Sequence, residues 1–129
     1  MEIEVLGVRG SARPHLDFRS AYGYGWGAWM GEVVPKAGNV IYVEIDFPDE
    51  IRDCKMAASP IPSSPVFSRD GEELVVACSI EIASRCGITE LRVGSSVVTV
   101  VSDDVLPSLV DGDRVEIRVN GLSLWPLNL

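Results

Sequence analysis

The chain has 129 residues, of which 47% are hydrophobic and 23% are charged, and its formal net charge at pH 7 is −8. This composition excludes a disordered chain, and the apolar runs fall short of the roughly 20 residues that a membrane-spanning helix needs. The shortage of lysine and arginine argues against a nucleic acid partner, because its phosphates attract clustered positive charge. We therefore expect one β-rich globular domain over residues 1–129.

The N-terminal sequence MEIEVLGVRG carries two glutamates and lacks the apolar region of a secretory signal, so we expect a cytoplasmic protein. The three cysteines, Cys54, Cys78 and Cys86, are an odd number without metal-binding spacing, which favours reduced thiols. The single histidine, His15, lies far from them in the sequence. We expect no metal site and no cofactor.

The first structural pattern is AYGYGWGAWMGE, residues 21–32, in which aromatic residues alternate with glycine. In a strand, Tyr22, Tyr24 and Trp26 lie on one face and the glycines on the other. A strand face without side chains permits the close approach of another backbone or a ligand. The aromatic face is either a stacking surface for a ligand or part of the packing of a small barrel.

The next pattern is VIYVEIDF, residues 40–47, which alternates strictly between apolar and polar positions. It predicts a strand with Ile41, Val43, Ile45 and Phe47 directed to the core. The turn-like residues 35–39 predict a hairpin between this strand and one containing residues 32–34. Four prolines then predict a long surface loop over residues 48–72, with one helical turn near residues 48–54.

The second half of the chain contains further strand patterns. ELVVACSIEIAS, residues 73–84, predicts a strand, although residues 80–86 also allow a helix. Gly94-Ser95 between two β-branched runs predicts a type II′ hairpin, and residues 103–114 indicate a helical turn followed by a turn at Gly112. Asn120-Gly121, between RVEIRV and LSLW, predicts a type I′ hairpin with Val115, Ile117 and Val119 opposite Leu122 and Leu124.

Many short strands with glycine and proline turns predict an all-β fold. The two candidates are a small single-domain sandwich and a partly open, OB-like barrel, either one built of antiparallel hairpins with one or two short helical turns. These patterns are generic and identify no family.

The sequence contains no catalytic motif. His15 lies among charged residues that a solvated loop explains, and no serine stands in an activating context such as GxSxG. We therefore expect a protein that is not an enzyme.

The acidic segment EIDFPDEIRD, residues 44–53, contains five acidic residues and one arginine. An acidic segment beside an exposed tyrosine is typical of a surface that docks on a basic protein, although it is also typical of a solvated strand end. The leading hypothesis is a non-catalytic binding protein, such as an immunity protein or inhibitor of a basic nuclease-type partner. The predicted partner-binding residues are Tyr42, Glu44, Asp46, Asp49, Glu50 and Asp53.

The alternative hypothesis is a barrel that binds a small molecule, a sugar or a nucleic acid through the aromatic strand. Its predicted binding residues are Tyr22, Tyr24, Trp26 and Trp29. No basic residue lies between Arg19 and Lys36, so the sequence supplies no positive charge beside these rings. Nucleic acid is therefore the less favoured ligand.

Overall fold

A computed structural model describes residues 1–10, 12–48, 53–56, 65–82, 88–101 and 112–127. Within these ranges the regular structure consists entirely of strands, eleven in number, as the all-β prediction requires. The strands are β1 Glu2–Arg9, β2 His15–Ser20, β3 Gly23–Trp29, β4 Val40–Asp46, β5 Asp53–Met56, β6 Phe67–Asp70, β7 Glu73–Ile82, β8 Ile88–Val93, β9 Ser96–Val101, β10 Arg114–Val119 and β11 Leu122–Pro126. Their hydrogen bonds join them in one continuous network.

Five of these strands close into a barrel in the order β1, β2, β3, β11, β4 and back to β1. Four of the five pairings are antiparallel, and β3 and β11 run parallel. Strand β1 pairs with β2 along one edge and with β4 along the other, and its register with β2 shifts between Val5 and Gly7. The prediction of a small all-β barrel is thus confirmed. The barrel is closed where the sequence predicted a partly open one, and one of its pairs is parallel and not part of an antiparallel hairpin.

The remaining strands extend the sheet beyond the barrel. Strand β7 pairs with β10 along one edge and with β6 and then β8 along the other, while β5 covers the free edge of β10. One parallel pair, Gly23 with Phe67, joins a barrel strand to an outer strand by ladder hydrogen bonds. The chain itself passes between the two parts from β4 to β5 and from β10 to β11.

The core lies where the alternating apolar residues of both parts meet. Phe18 from the barrel and Phe67 from β6 are fully buried and pack edge to face, with ring centroids 5.6 Å apart. On β4, Val43, Ile45 and Phe47 are buried as predicted, and Ile41 is half-buried. The period-two pattern therefore identified the inward face of this strand correctly.

Two other predicted elements are confirmed. Strand β7 buries Leu74, Val76, Cys78 and Ile80, and it continues as a strand to Ile82 where the sequence also allowed a helix. The hairpin of β8 and β9 turns at Gly94, whose φ is +60° while Ser95 has no positive φ. That combination fits the predicted type II′ turn and excludes type I′.

The predicted hairpin at Asn120-Gly121 is wrong. Both edges of β10 are occupied by β7 and β5, and both edges of β11 by β4 and β3, so the two strands do not pair with each other. Neither Asn120 nor Gly121 has a positive φ, which a type I′ turn requires at both positions. The dipeptide is instead the crossover from the outer strands to the barrel.

The hairpin predicted for residues 32–34 and 40–47 is also wrong. Residues 32–34 form no strand, and β4 pairs with β1 and β11 instead. The turn itself is present, because the Lys36 N–H is bonded to the Asn39 side chain at 2.9 Å and Gly38 has φ +93°. Gly38 also donates its N–H to the Val5 carbonyl, which fastens the turn to β1.

The loop predicted for residues 48–72 contains two strands, β5 and β6. The four prolines do not prevent these strands, because all of them fall outside β5 and β6. Strand β5 pairs with β10, and β6 pairs with β7. The sequence also predicts a helical turn near residues 48–54. Asp53 and Cys54 belong to strand β5 instead, and residues 49–52 lie outside the described ranges. The helical turn predicted within residues 103–111 also lies outside the described ranges. The same holds for residues 83–86, where the sequence allowed a helix. In the part of the chain that is described, no helix could span a membrane.

Candidate binding sites

The outer face of β1, β4 and β11 forms an acidic-aromatic face, which we define by seven side chains. The register places Glu2 opposite Tyr42, Glu4 opposite Val40, and Glu44 opposite Trp125. Leu127 continues this face, since its N–H is bonded to the Tyr42 carbonyl at 3.1 Å. The face consists of Glu2, Val40, Tyr42, Glu44, Asp46, Trp125 and Leu127, all of them exposed.

This face combines apolar area with a single sign of charge. Its two aromatic rings, Tyr42 and Trp125, are 47% and 44% exposed, and Val40 is 59% exposed. The rings lie on adjacent strands at diagonal positions, about 7–8 Å apart between Cα atoms, which allows one partner to contact both. Its three carboxylates, on Glu2, Glu44 and Asp46, form no ion pair with a described residue.

A depression of about 340 Å³ lies beside the acidic-aromatic face, between it and β9. Its lining includes Glu44, Asp46 and Trp125 from the face, and Val97 and Thr99 from β9. Two carboxylates beside an indole ring attract a cation both by charge and through the ring quadrupole. The depression is thus suited to the end of a lysine or arginine side chain.

The hydroxyl of Tyr42 interacts with the Glu2 side chain across the β1–β4 pair. This hydrogen bond and the negative charge of Glu2 raise the pKa of Tyr42 above its ordinary value. Tyr42 therefore stays protonated and keeps its donor hydrogen throughout the physiological range.

The structure brings together half of the partner-binding residues that the sequence predicted. Tyr42, Glu44 and Asp46 project from the same face of β4, as the alternation required. Asp53 begins β5, which pairs with β10 and not with a barrel strand. Asp49 and Glu50 lie outside the described residues. The acidic segment is therefore not one continuous strand surface.

The four aromatic residues of the alternative hypothesis do not form one platform. Tyr24 is 62% exposed, whereas Trp29 is buried in the barrel and donates its indole N–H to the Val33 carbonyl at 2.9 Å. Tyr22 is half-buried against the β8–β9 turn, where a Cβ on Gly94 would lie within 2.9 Å of its ring. Only Tyr24 and Trp26 remain as neighbours on the outer face.

Trp26 is covered by groups from distant parts of the sequence. The guanidinium of Arg69, on β6, lies 4.5 Å from the centroid of its ring, and its indole N–H donates to the Asn120 carbonyl. Trp26 is therefore only 8% exposed although it lies on the outer face of β3. Arg69 itself is exposed and forms no ion pair with a described residue.

These residues form an arginine-aromatic groove of about 660 Å³ between the barrel and β6. We define it by six side chains, which are Leu6, Arg9, Asp17, Tyr24, Trp26 and Arg69. Arg9 and Asp17 are paired across β1 and β2 at 2.8 Å. Arg19, whose pKa is raised by bonds to Glu4 and to Tyr24, lies beside Tyr24 on β2.

Sequence reasoning missed two of the most informative side chains, Trp125 and Arg69. The sequence predicts that the strand containing Trp125 pairs with β10. The actual pairing with β4, which places Trp125 beside Glu44, could therefore not be foreseen. Arg69 is 43 positions from Trp26 along the chain, and only the single β3–β6 pair brings their strands together. His15 lies at the start of β2, is exposed, and lines the surface beyond Arg9.

Within the described ranges, no group of three or more histidine, cysteine, aspartate or glutamate side chains is arranged to hold a metal ion. Cys78 is buried on β7. Comparisons of the chain with family models, with curated proteins and with solved structures find no match. Any functional conclusion therefore depends on the two surfaces.

Proposed function

We propose that the protein is a non-catalytic, cytoplasmic binding protein whose acidic-aromatic face docks on a basic protein. The observation that carries this proposal is the depression lined by Glu44, Asp46 and Trp125. A lysine or arginine of the partner enters it, and the exposed rings of Tyr42 and Trp125 contact the surrounding apolar surface.

The composition of the face supports a protein partner. Protein interfaces are enriched in tyrosine and tryptophan near their centre, with charge toward the rim. The carboxylates on this face, which form no ion pair with a described residue, accelerate association with a cationic surface, and a net charge of −8 reinforces this effect. An inhibitor or immunity protein that covers the cationic cleft of a nuclease-type enzyme has these properties.

The first test identifies the partner with a photo-crosslinking residue in place of Val40, introduced in cells that naturally contain the protein. The captured protein is then purified and its binding is measured with the unmodified chain. We expect Trp125→Ala and Tyr42→Ala each to weaken binding, by about 2 kcal/mol for an anchor at the centre of an interface. Tyr24→Ala, which changes an exposed tyrosine on β3 outside the acidic-aromatic face, is the matched control.

The second test separates charge from contact. Glu2→Gln, Glu44→Gln and Asp46→Asn combined should slow association and reduce its salt dependence, because long-range attraction is lost. A control with Glu32, Glu73 and Glu90 changed to glutamine removes the same net charge from other surfaces. Equal association rates for the two triple variants, or full binding by Trp125→Ala, would overturn the proposal.

A further inference from the structure

The arginine-aromatic groove holds a cation beside aromatic rings in a protein that is otherwise strongly acidic. Arg69 is fixed over Trp26 by the β6–β7 hairpin, and its guanidinium keeps solvent-facing donors because it has no carboxylate partner among the described residues. A stacked guanidinium is already oriented, so it loses little conformational freedom when it bonds an anion. Arg69 is therefore suited to bind an anionic group that enters from solvent.

The groove combines apolar side chains with two arginines and one carboxylate. Leu6, Tyr24 and Pro65 supply apolar lining, and Arg9, Arg69 and Asp17 supply the charged groups. A second depression of about 580 Å³ shares Arg9, Trp26 and Arg69 with the first, and its lining also includes His15 and Glu72. A ligand that lies across both depressions therefore contacts aromatic rings and arginine side chains together.

This combination of surfaces selects the chemistry of the ligand. The ring of Tyr24 is 62% exposed and provides a face for a planar, unsaturated ring. Arg69 presents several N–H donors, as do the groups of Arg9 that do not bond Asp17, and a phosphate accepts such donors better than a neutral hydroxyl does. A sugar would leave the Arg69 charge without an anion, so it fits these surfaces less well.

The charge of the whole protein limits the length of such a ligand. A net charge of −8 repels a long polyanion along its whole length, whereas a single phosphate needs only the local attraction of Arg69 and Arg9, which the carboxylates of Asp17 and Glu72 oppose. We infer that the arginine-aromatic groove binds a mononucleotide, with its base stacked on Tyr24 and its phosphate held by Arg69 and Arg9. This site is separate from the acidic-aromatic face and does not depend on the function proposed for that face.

The test is a titration of the full chain with AMP and, for comparison, with adenosine, followed by calorimetry or by the change in tryptophan fluorescence. We expect AMP to bind and adenosine to bind about tenfold more weakly, because it lacks the charge-assisted bonds. Arg69→Gln should weaken AMP binding by about tenfold, and Tyr24→Ala by about fivefold or more. Arg114→Gln, an exposed arginine at the start of β10, is the matched control.

Arg69 also covers Trp26, so each variant is checked for an unchanged melting temperature, and Arg9→Gln provides a second variant that leaves Trp26 covered. Weaker binding by both arginine variants with normal folding supports the site. Wild-type affinity in Arg69→Gln and Arg9→Gln, or no binding of AMP, would overturn it. Binding of an oligothymidylate without binding of AMP would also overturn it, in favour of a site for nucleic acid strands.

Discussion

Two glycines of β3 determine how closely the barrel can close. A Cβ on Gly25 would lie 2.6 Å from the Phe18 ring, and a Cβ on Gly27 would overlap the backbone of Leu122 on β11. A ring can shift, but a paired backbone cannot move without breaking the parallel contact between β3 and β11. Gly27 therefore permits the close approach of the β11 backbone, and Gly25 leaves room for the Phe18 ring.

Gly27→Ala should accordingly lower the free energy of unfolding by about 1–3 kcal/mol, the usual cost of overpacking a closed interior. The measurement is urea unfolding followed by tryptophan fluorescence. Gly7→Ala is the control, because its Cβ would meet only the Asp17 carboxylate at 3.8 Å, an ordinary contact, and Gly7 has no positive φ. Equal unfolding midpoints for the two variants would contradict the close approach.

At the scale of elements, the outer strands β7 and β8 are joined by a bidentate ion pair. Arg92 donates to both carboxylate oxygens of Glu81, each at 3.0 Å. The guanidinium lowers the pKa of Glu81, so the folded state holds this proton less tightly than the unfolded chain does. The pair stabilises the fold at neutral pH, and this contribution is lost as the pH falls through the folded pKa.

Glu81→Gln should therefore reduce the acid dependence of stability. Compared with the wild type, we expect a slightly lower melting temperature at neutral pH and no difference well below the ordinary glutamate pKa of about 4.3. Melting temperatures measured across the acid range check this, with Glu90→Gln as a control on the same hairpin. A difference that persists unchanged at the lowest pH would show that the ion pair does not cause it.

The elements also show which parts of the fold the sequence could predict. Alternation along β4 and β7 identified the buried face of each strand, because the period of two depends only on local geometry. The pairing at Asn120-Gly121 could not be read in the same way. Alternating strands on either side of a turn dipeptide look the same whether they pair with each other or with separate neighbours. Strand β10 pairs with β7 and β5, and β11 pairs with β3 and β4, so neither strand has an edge left for the predicted hairpin.

At the scale of the whole molecule, each surface is assembled from strands far apart in the sequence. The acidic-aromatic face could be predicted as far as Tyr42, Glu44 and Asp46, which share one strand. Trp125 and Arg69 could not be foreseen, since both reach their surfaces through parallel or crossover connections that leave no local signal. The sequence has no basic residue between Arg19 and Lys36, yet the fold places Arg69 against Trp26 of this stretch. The charge near the aromatic residues in space therefore could not be predicted from their neighbours in the sequence.

The two surfaces share one electrostatic field, and this gives a last prediction. Changing Glu2, Glu44 and Asp46 to their amides removes three negative charges and takes the net charge from −8 to −5. Weaker repulsion of a phosphate should then increase AMP affinity at low salt by about twofold, although none of the three residues lines the groove.

The control with Glu32, Glu73 and Glu90 changed to glutamine has the same net charge, so it should show the same increase at low salt. At about 0.15 M salt the Debye length is about 8 Å, and the effect should vanish for both variants while AMP still binds. Parallel titrations at two salt concentrations measure this. An increase that persists at the higher salt in the first variant alone would mean that the acidic-aromatic face communicates with the groove through contacts, since a screened field cannot act in this way.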